Sequence, residues 1–203
     1  VDFGFEKISF GLFKNLAPVH TVTFPFGINH FTKDICKVCS LDLDESEKIR
    51  NNIDFSFDDN KKLFDENNYL KRVYFINSSY RKISKDLILS VVKARLEEIF
   101  DSLKKQLIVP GFNLTSGINL VLVGGGANLL GIDKYFVKFF GPNIKKINTS
   151  FNEDNNKELI KYFCASFGAL KIIKDGWETE AIPQINKKDI EKKGFFSKFF
   201  GLH

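Results

Sequence analysis

The first 27 residues alternate short runs of β-prone apolar residues with turn signals. The runs cover residues 1–3, 8–13 and 20–24, and the turn signals are Lys14-Asn15 and Ala17-Pro18. Short β-prone runs separated by turn residues are typical of antiparallel strands joined by tight connections. The pattern therefore predicts a three-stranded antiparallel meander.

Apolar positions then change to the spacing of helices. They predict a helix over 31–39 that is capped near Asn29, and a second short helix over 44–50. Residues 51–66 are rich in Asn and Asp, which predicts a loop or edge structure. A long amphipathic helix is expected to begin at the N-cap Ser84 and to reach Leu103.

Strands and helices alternate after residue 110. A strand that ends in three glycines is followed by a predicted helix over 129–140, a strand over 146–149 and a helix over 156–173. This order predicts an α/β arrangement. Residues 175–190 have little periodicity and are predicted to be a linker, and residues 191–203 form a separate element.

Composition indicates a globular chain of 203 residues, with 43% hydrophobic residues and 23 phenylalanines. The absence of Met, together with a first residue that fits the middle of a strand, suggests a piece of a longer protein. Three cysteines and no secretory segment favour a reducing, cytoplasmic compartment. The net charge is +5, and residues 187–203 contribute +3 of it, from five Lys against Asp189 and Glu191.

Two glycine-containing turns are candidates for chemistry. Gly124 to Gly126 follow an apolar strand, so that a ligand such as a nucleotide can approach the backbone, although neither a Rossmann fingerprint nor a P-loop fits. Asp2 ends the first strand and Gly4 follows it; such a carboxylate can hold a metal-bound water and such a glycine admits a phosphate. Read alone, these features are equally compatible with a tight strand-to-helix turn and with a strand that carries an exposed carboxylate.

Five spaced segments together resemble the second half of FtsA, a family of actin-like cell-division proteins. The segment at 24–35 is the most specific of the five. They are VDFG at 1–4, FPFGINHFTKDI at 24–35, VVKARLEEIF at 91–100, VLVGGGAN at 121–128 and FCASFGAL at 163–170. The resemblance implies an actin-like (ribonuclease H-like) α/β subdomain made of residues 1–28 and 112–174. It also implies a smaller α+β subdomain, residues 29–111, inserted between the two parts.

The resemblance further implies ATP, with Mg²⁺, as the ligand of the full-length parent. Asp2 and Gly4 would belong to the second phosphate motif, and Lys93 and Glu97 to the helix that lines the adenine side. The adenosine motif would consist of Gly124, Gly125, Gly126 and Ala127. One departure is clear: the phosphate motif continues with residues 5–9, FEKIS, where the family has glycines and threonines.

Phe5 and Glu6 are expected to crowd and repel a phosphate, and Lys7 would offset one charge. The first actin-like lobe is also missing from this sequence. The chain alone is therefore expected not to hydrolyse ATP. The predicted role is structural rather than enzymatic, with at most weak ATPase activity in the full-length parent.

The last residues have the pattern of a helix that lies in a membrane interface. On a helical wheel the apolar residues span an arc of about 160°, and the segment is too short to cross a bilayer. The predicted membrane-binding residues are Lys192, Lys193, Phe195, Phe196, Lys198, Phe199, Phe200 and Leu202. FtsA-like proteins end in such a helix; the alternative is a terminal helix docked on its own core.

Other motifs are given less weight. Cys36 and Cys39 have C-x-x-C spacing, but no second pair accompanies them, so a redox or zinc role is disfavoured. Cys164 is expected in the core, and His20 and His30 lack the partners of a catalytic triad. Binding of nucleic acid is disfavoured because the aromatic residues beside the C-terminal lysines follow helical spacing.

The resemblance implies a scaffold at the cytoplasmic face of the cell membrane, at the division site. It would tether the FtsZ ring, polymerise with itself, and bind the C-terminal peptide of FtsZ through residues within 29–111. Two alternatives remain open. One is a PilM-like pilus assembly protein, which carries a similar Gly-x-x-His-x-Thr-x-Asp block; the other is a lobe of an ATPase such as an Hsp70-like chaperone or a sugar kinase.

Overall fold

The computed structural model of the chain describes residues 1–14, 17–108, 119–146 and 157–175. Its first part is the predicted antiparallel meander, made of β1 (Asp2–Phe3), β2 (Ile8–Lys14) and β3 (Ala17–Phe24). The prediction that Ala17 and Pro18 form a turn is wrong, because Ala17 pairs with Lys14 and Pro18 with Phe13 between β2 and β3. Proline is tolerated there because β3 is the outer strand of the meander.

A parallel pair of strands extends this sheet. β4 (Leu120–Leu122) pairs with β5 (Ile144–Lys146), which begins two residues before the predicted strand over 146–149. β1 lies beside the end of β4, because the Phe3 N–H donates to the carbonyl of Val123 over 2.8 Å. The strand order is therefore β3-β2-β1-β4-β5, and β2 is antiparallel to both of its neighbours.

Five α-helices accompany the sheet in the described residues: α1 (Ile28–Cys39), α2 (Leu43–Asn52), α3 (Lys85–Gln106), α4 (Ile132–Phe140) and α5 (Lys157–Asp175). The N-cap of α3 is Ser84, as predicted, and its side chain accepts from the N–H of Leu87 over 3.3 Å. The N-cap of α1 is Gly27 and not Asn29. α4 begins at Ile132 and not at Leu129, because Gly125–Asn128 first forms a turn of 3-10 helix.

One hydrophobic core joins the strands to the helices. Phe3 of β1 packs against Phe31 of α1 and Phe136 of α4, with ring centroids 6.4 and 6.5 Å apart. Phe100 of α3 lies closer still to Phe136, at 4.5 Å. The core is therefore continuous between residues 1–28 and 29–111, and the predicted division of the chain into two subdomains stays a prediction.

Among the helices of the described part of the chain, none has the length and apolar character needed to cross a membrane. The predicted membrane-binding helix over 191–203 and nearly all of the predicted linker lie outside the described residues.

Candidate nucleotide site

Two parallel strands bring the two candidate nucleotide motifs together. The backbone nitrogen of Val1 donates to the carbonyl of Val121 over 2.7 Å, and the N–H of Val123 donates to the carbonyl of Val1 over 2.9 Å. Both strands end at the same edge of the sheet, so their carboxyl ends deliver Asp2 and Gly124 to one place. In α/β sheets that edge is the usual position of a ligand.

The triple glycine packs directly against β1. A Cβ atom at Gly124 would overlap Oδ1 of Asp2, and one at Gly126 would overlap the ring of Phe3. Gly125 lies between them and is exposed, whereas Gly126 and Ala127 are buried. Only backbone fits between β1 and this turn at Gly124 and Gly126, whereas a Cβ atom at Gly125 would make only an ordinary contact with Ile28.

Gly4 closes the turn between β1 and β2. Its N–H donates to the carbonyl of Lys7 over 3.0 Å, and a Cβ atom at Gly4 would lie 2.7 Å from that same oxygen. The carbonyls of Gly4 and Phe5 accept the N–H groups of Ile28 and Asn29 over 3.1 and 2.9 Å. The first amides of α1 are thus satisfied by the β1–β2 turn, which ties this helix to the site.

Gly27 is required where α1 meets this turn. A Cβ atom at Gly27 would lie 2.5 Å from the carbonyl oxygens of Gly4 and Phe5. The Gly27 N–H also donates to Nδ1 of His30 over 3.1 Å. Gly27 and His30 therefore hold the start of α1 in place, a role that the spacing of the 24–35 segment alone does not reveal.

The side chains of Phe5 and Glu6 are engaged by α1 and α2. Asn29 donates to Oε1 of Glu6 over 2.6 Å, and Nζ of Lys33 lies 3.8 Å from Oε2. The guanidinium of Arg50 lies 5.9 Å from the centroid of the Phe5 ring. Asn29 and Lys33 were not among the predicted site residues, although their place beside Glu6 bears directly on the charge of the site.

Lys93 and Glu97 are exposed on α3. Burial raises the pKa of Tyr135 on α4, and the charges of Glu97 and Asp101 raise it further. The assignment of Lys93 and Glu97 to the adenine side stays a prediction. The nucleotide roles of Asp2, Gly4 and residues 124–127 also stay predictions. The predicted membrane-binding residues from Lys192 to Leu202 lie outside the described part of the chain.

Cys36 and Cys39 both lie on α1. Groups of three or more His, Cys, Asp or Glu that could hold a metal are absent from the described residues. Cys39 is buried, and that burial raises the pKa of its thiol to about 11, with a smaller opposing effect of Arg81. Such a thiol is a poor nucleophile, since the thiolate is the reactive form.

Sequence reasoning missed a buried carboxylate. Glu45 is fully buried, and its Oε1 accepts the N–H groups of Ile76, Asn77 and Ser78 over 2.6–2.8 Å. Burial raises its pKa, but the hydrogen bonds from Ser78, Asp42 and Asn77 outweigh this and lower the pKa to about 2. The spacing Asp42-x-x-Glu45 is a capping-box signal that could have located this residue.

Comparisons with known proteins identify relatives for most of the chain. The family described as Cell division protein FtsA matches residues 1–162. The FtsA of Neisseria meningitidis serogroup B is 28% identical over 143 residues, which are 69% of this chain and 33% of that protein. The FtsA of Borreliella burgdorferi is 24% identical over 207 residues, which are 99% of this chain and 48% of that protein. The chain thus spans a third to a half of the length of these relatives.

Solved structures share the fold. The PilM-PilN type IV pilus biogenesis complex matches with a TM-score of 0.53 and 20% identity, over 84% of this chain and 44% of that one. MreB5 of Spiroplasma citri, bound to AMPPNP, matches with a TM-score of 0.55 and 22% identity, over 86% and 54%. These likenesses confirm the predicted actin-like α/β fold.

Proposed function

Because this chain belongs to the FtsA family, and is thus a cell-division homologue of actin, we propose that it is the second lobe of a scaffold that tethers the FtsZ ring to the cytoplasmic membrane. The scaffold binds ATP in its full-length parent, polymerises with itself and acts structurally rather than as an enzyme. Contact with the C-terminal peptide of FtsZ is assigned to residues 29–111. The chain covers only part of its relatives, so each of these activities belongs to the proposal.

The proposal that the protein binds a nucleotide rests on the close packing of Asp2 against Gly124 at the ends of β1 and β4. It puts a carboxylate beside a turn of bare backbone, the pairing that an Mg²⁺-bound nucleotide needs. MreB5 of Spiroplasma citri, which shares the fold, was solved with AMPPNP bound. The carboxylate of Glu6 is held by Asn29 and Lys33, which offsets part of its expected repulsion of phosphate.

A binding assay on the full-length parent tests the nucleotide proposal. We expect a fluorescent ATP analogue to bind in the presence of Mg²⁺, and Asp2→Asn to weaken that binding by about tenfold, since one carboxylate is lost from the metal site. Phosphate release should stay near background. Rapid turnover would favour the enzyme alternative, and an unchanged affinity of Asp2→Asn would remove this residue from the site.

Liposome co-sedimentation tests the membrane proposal. The full chain should pellet with anionic liposomes, and Phe195→Ser with Phe199→Ser should abolish most of the pelleting because the apolar side of the helix is lost. Ser197→Ala, on the opposite side, is the matched control and should pellet like the original chain. Equal pelleting of all three proteins would defeat the tether.

A PilM-like role is the second candidate, and it is favoured by the shared fold and by the Gly-x-x-His-x-Thr-x-Asp block at 27–34. The residues of that block also have structural roles in this chain. His30 accepts from Gly27, and Thr32 accepts from Arg50 over 2.9 Å. The block therefore has a structural role in packing α1 of this chain, and it does not distinguish the two partners. Pull-down with FtsZ and with an N-terminal peptide of PilN would do so.

A further inference from the structure

Backbone donors around the β1–β2 turn are already paired within the protein. The N–H of Gly4 donates to the carbonyl of Lys7 over 3.0 Å, and the N–H groups of Ile28 and Asn29 donate to carbonyls of the same turn. Free backbone N–H groups at a glycine turn or at the start of a helix are what usually holds a phosphate. These three N–H groups are therefore committed to the fold rather than to a ligand.

A carboxylate lies at the same turn and is held in place by α1. The side chain of Glu6 is 53% exposed, and its Oε1 accepts from the side chain of Asn29 over 2.6 Å. Nζ of Lys33 lies 3.8 Å from its Oε2. Asn29 and Lys33 are one turn apart on α1, so together they fix the carboxylate where the β1–β2 turn meets this helix.

The balance of charge at this edge of the sheet is unfavourable to a long phosphate chain. Asp2 and Glu6 are both exposed there, and Lys33 is already placed beside Glu6. Lys7 is the one cation of the turn itself, residues 4–7. A magnesium ion at Asp2 offsets part of the charge of a bound nucleotide. A third phosphate adds negative charge that Lys7 alone would have to offset.

We propose that Glu6 makes the nucleotide site prefer a nucleoside diphosphate to a nucleoside triphosphate. The nucleoside lies at residues 124–127 and the first two phosphates lie near Asp2, so that a third phosphate meets the carboxylate of Glu6. Repulsion between like charges at close range in a partly solvated site changes an affinity by about tenfold. The inference rests on the proposed function, because it names which nucleotide the same site favours.

The ring of Phe5 is the other obstacle that this turn offers to a triphosphate. It is 50% exposed, and the guanidinium of Arg50 lies 5.9 Å from its centroid. That guanidinium is buried and pairs with Glu47 over 2.8 Å, so its charge is directed away from a ligand. A half-exposed ring can change rotamer to admit a phosphate, whereas a carboxylate keeps its charge in every rotamer. For this reason we assign the preference to Glu6.

The test measures the affinities of ADP and ATP, each with Mg²⁺, by displacement of a fluorescent ADP analogue from the full-length parent. We expect ADP to bind about tenfold more tightly than ATP, and Glu6→Gln to make the two affinities nearly equal by tightening ATP. Glutamine keeps the length of the side chain and an oxygen that can accept from Asn29, so the charge alone changes. Glu66→Gln removes a charge from another exposed position and is the matched control, which should keep the preference.

Two further arms separate charge from volume. Added salt should narrow the preference for ADP in the original protein and have little effect on the ratio in Glu6→Gln, since salt screens the repulsion. Phe5→Ala should leave the preference in place. A preference that Phe5→Ala abolishes and Glu6→Gln retains would show that the ring excludes the third phosphate, and the proposal would be wrong.

The remaining outcomes distinguish this proposal from the proposed function. If ADP and ATP both bind the original protein with equal affinity, or ATP binds more tightly, only the role of Glu6 is overturned and the nucleotide site stands. If neither nucleotide binds, the role of Glu6 and the nucleotide part of the proposed function are both overturned.

Discussion

Asp2 and Gly124 lie so close together that a Cβ atom at position 124 would overlap Oδ1 of Asp2. The contact exists because β1 and β4 run side by side and exchange hydrogen bonds as far as Val123. Gly124 also has a φ of +83°, a conformation that other residues rarely adopt. Two separate physical reasons therefore require glycine here.

Gly124→Ala should destabilise the chain more than Gly141→Ala does. Gly141 has nearly the same backbone conformation, with a φ of +86°, but no atom lies within 4 Å of its added Cβ. Alanine at 141 should cost about 1–3 kcal/mol of unfolding free energy, because its φ of +86° and ψ of 178° are essentially restricted to glycine. Alanine at 124 should cost about 1–3 kcal/mol more from overlap. Urea unfolding measures both, and equal losses would show that the contact with Asp2 relaxes freely.

Glu45→Gln should lower the free energy of unfolding by about 2 kcal/mol or more, because three N–H groups lose the charged acceptor that the buried Glu45 provides. Asp44→Asn is the matched control: it removes a charge from the same helical turn at an exposed position, and its cost should be about 0.5 kcal/mol. Chemical denaturation near neutral pH compares the two. Similar losses would mean that Glu45 acts only through the helix dipole.

The stabilising effect of Glu45 should depend on pH. The folded-state pKa of Glu45 is about 2, below its ordinary value of 4.5. Its contribution is therefore complete above pH 4.5 and is lost as the pH falls through 2. The difference in unfolding free energy between the original chain and Glu45→Gln should shrink over that range. A difference in unfolding free energy that stays constant as the pH falls to about 2 would contradict the lowered pKa of Glu45.

Cys39 should resist alkylation in the folded chain. Its burial raises the pKa of the thiol to about 11, so little thiolate forms near pH 8. Mass spectrometry after treatment with iodoacetamide should find Cys39 modified only once urea has unfolded the chain. Cys36, which is partly exposed, is the internal comparison. Rapid modification of both cysteines would revive a redox role for the C-x-x-C pair.

Arg95→Lys should cost about 1 kcal/mol of unfolding free energy, since lysine cannot form the two parallel bonds of a guanidinium. Arg95 joins α3 to α1 through both oxygens of Asp34, over 2.6 and 2.9 Å, and this hydrogen bonding raises its pKa. Lys33→Gln removes an exposed pair with Glu6 and should cost less than about 0.5 kcal/mol. Thermal or urea unfolding compares the two variants. A larger loss of stability in Lys33→Gln than in Arg95→Lys would contradict the prediction.

Local sequence signals correctly predicted those elements whose ends depend on residues adjacent in the sequence. Ser84 begins α3 because its own side chain caps the helix, and the alternation of residues 1–24 suffices for the meander. α1 begins earlier than predicted because its first N–H groups bind the carbonyls of Gly4 and Phe5, which come from a distant turn. No periodicity within α1 could have reported that contact.

The sequence by itself determined the order of strands and helices along the chain and the N-cap of α3, because each depends on the residues of a short stretch. Only the tertiary structure decided that β1 lies beside β4, that Asp2 therefore meets Gly124, and that Glu45 accepts the N–H groups of residues 76–78. These contacts join residues far apart in the chain. They arise from backbone hydrogen bonds and burial that form only when the whole core assembles.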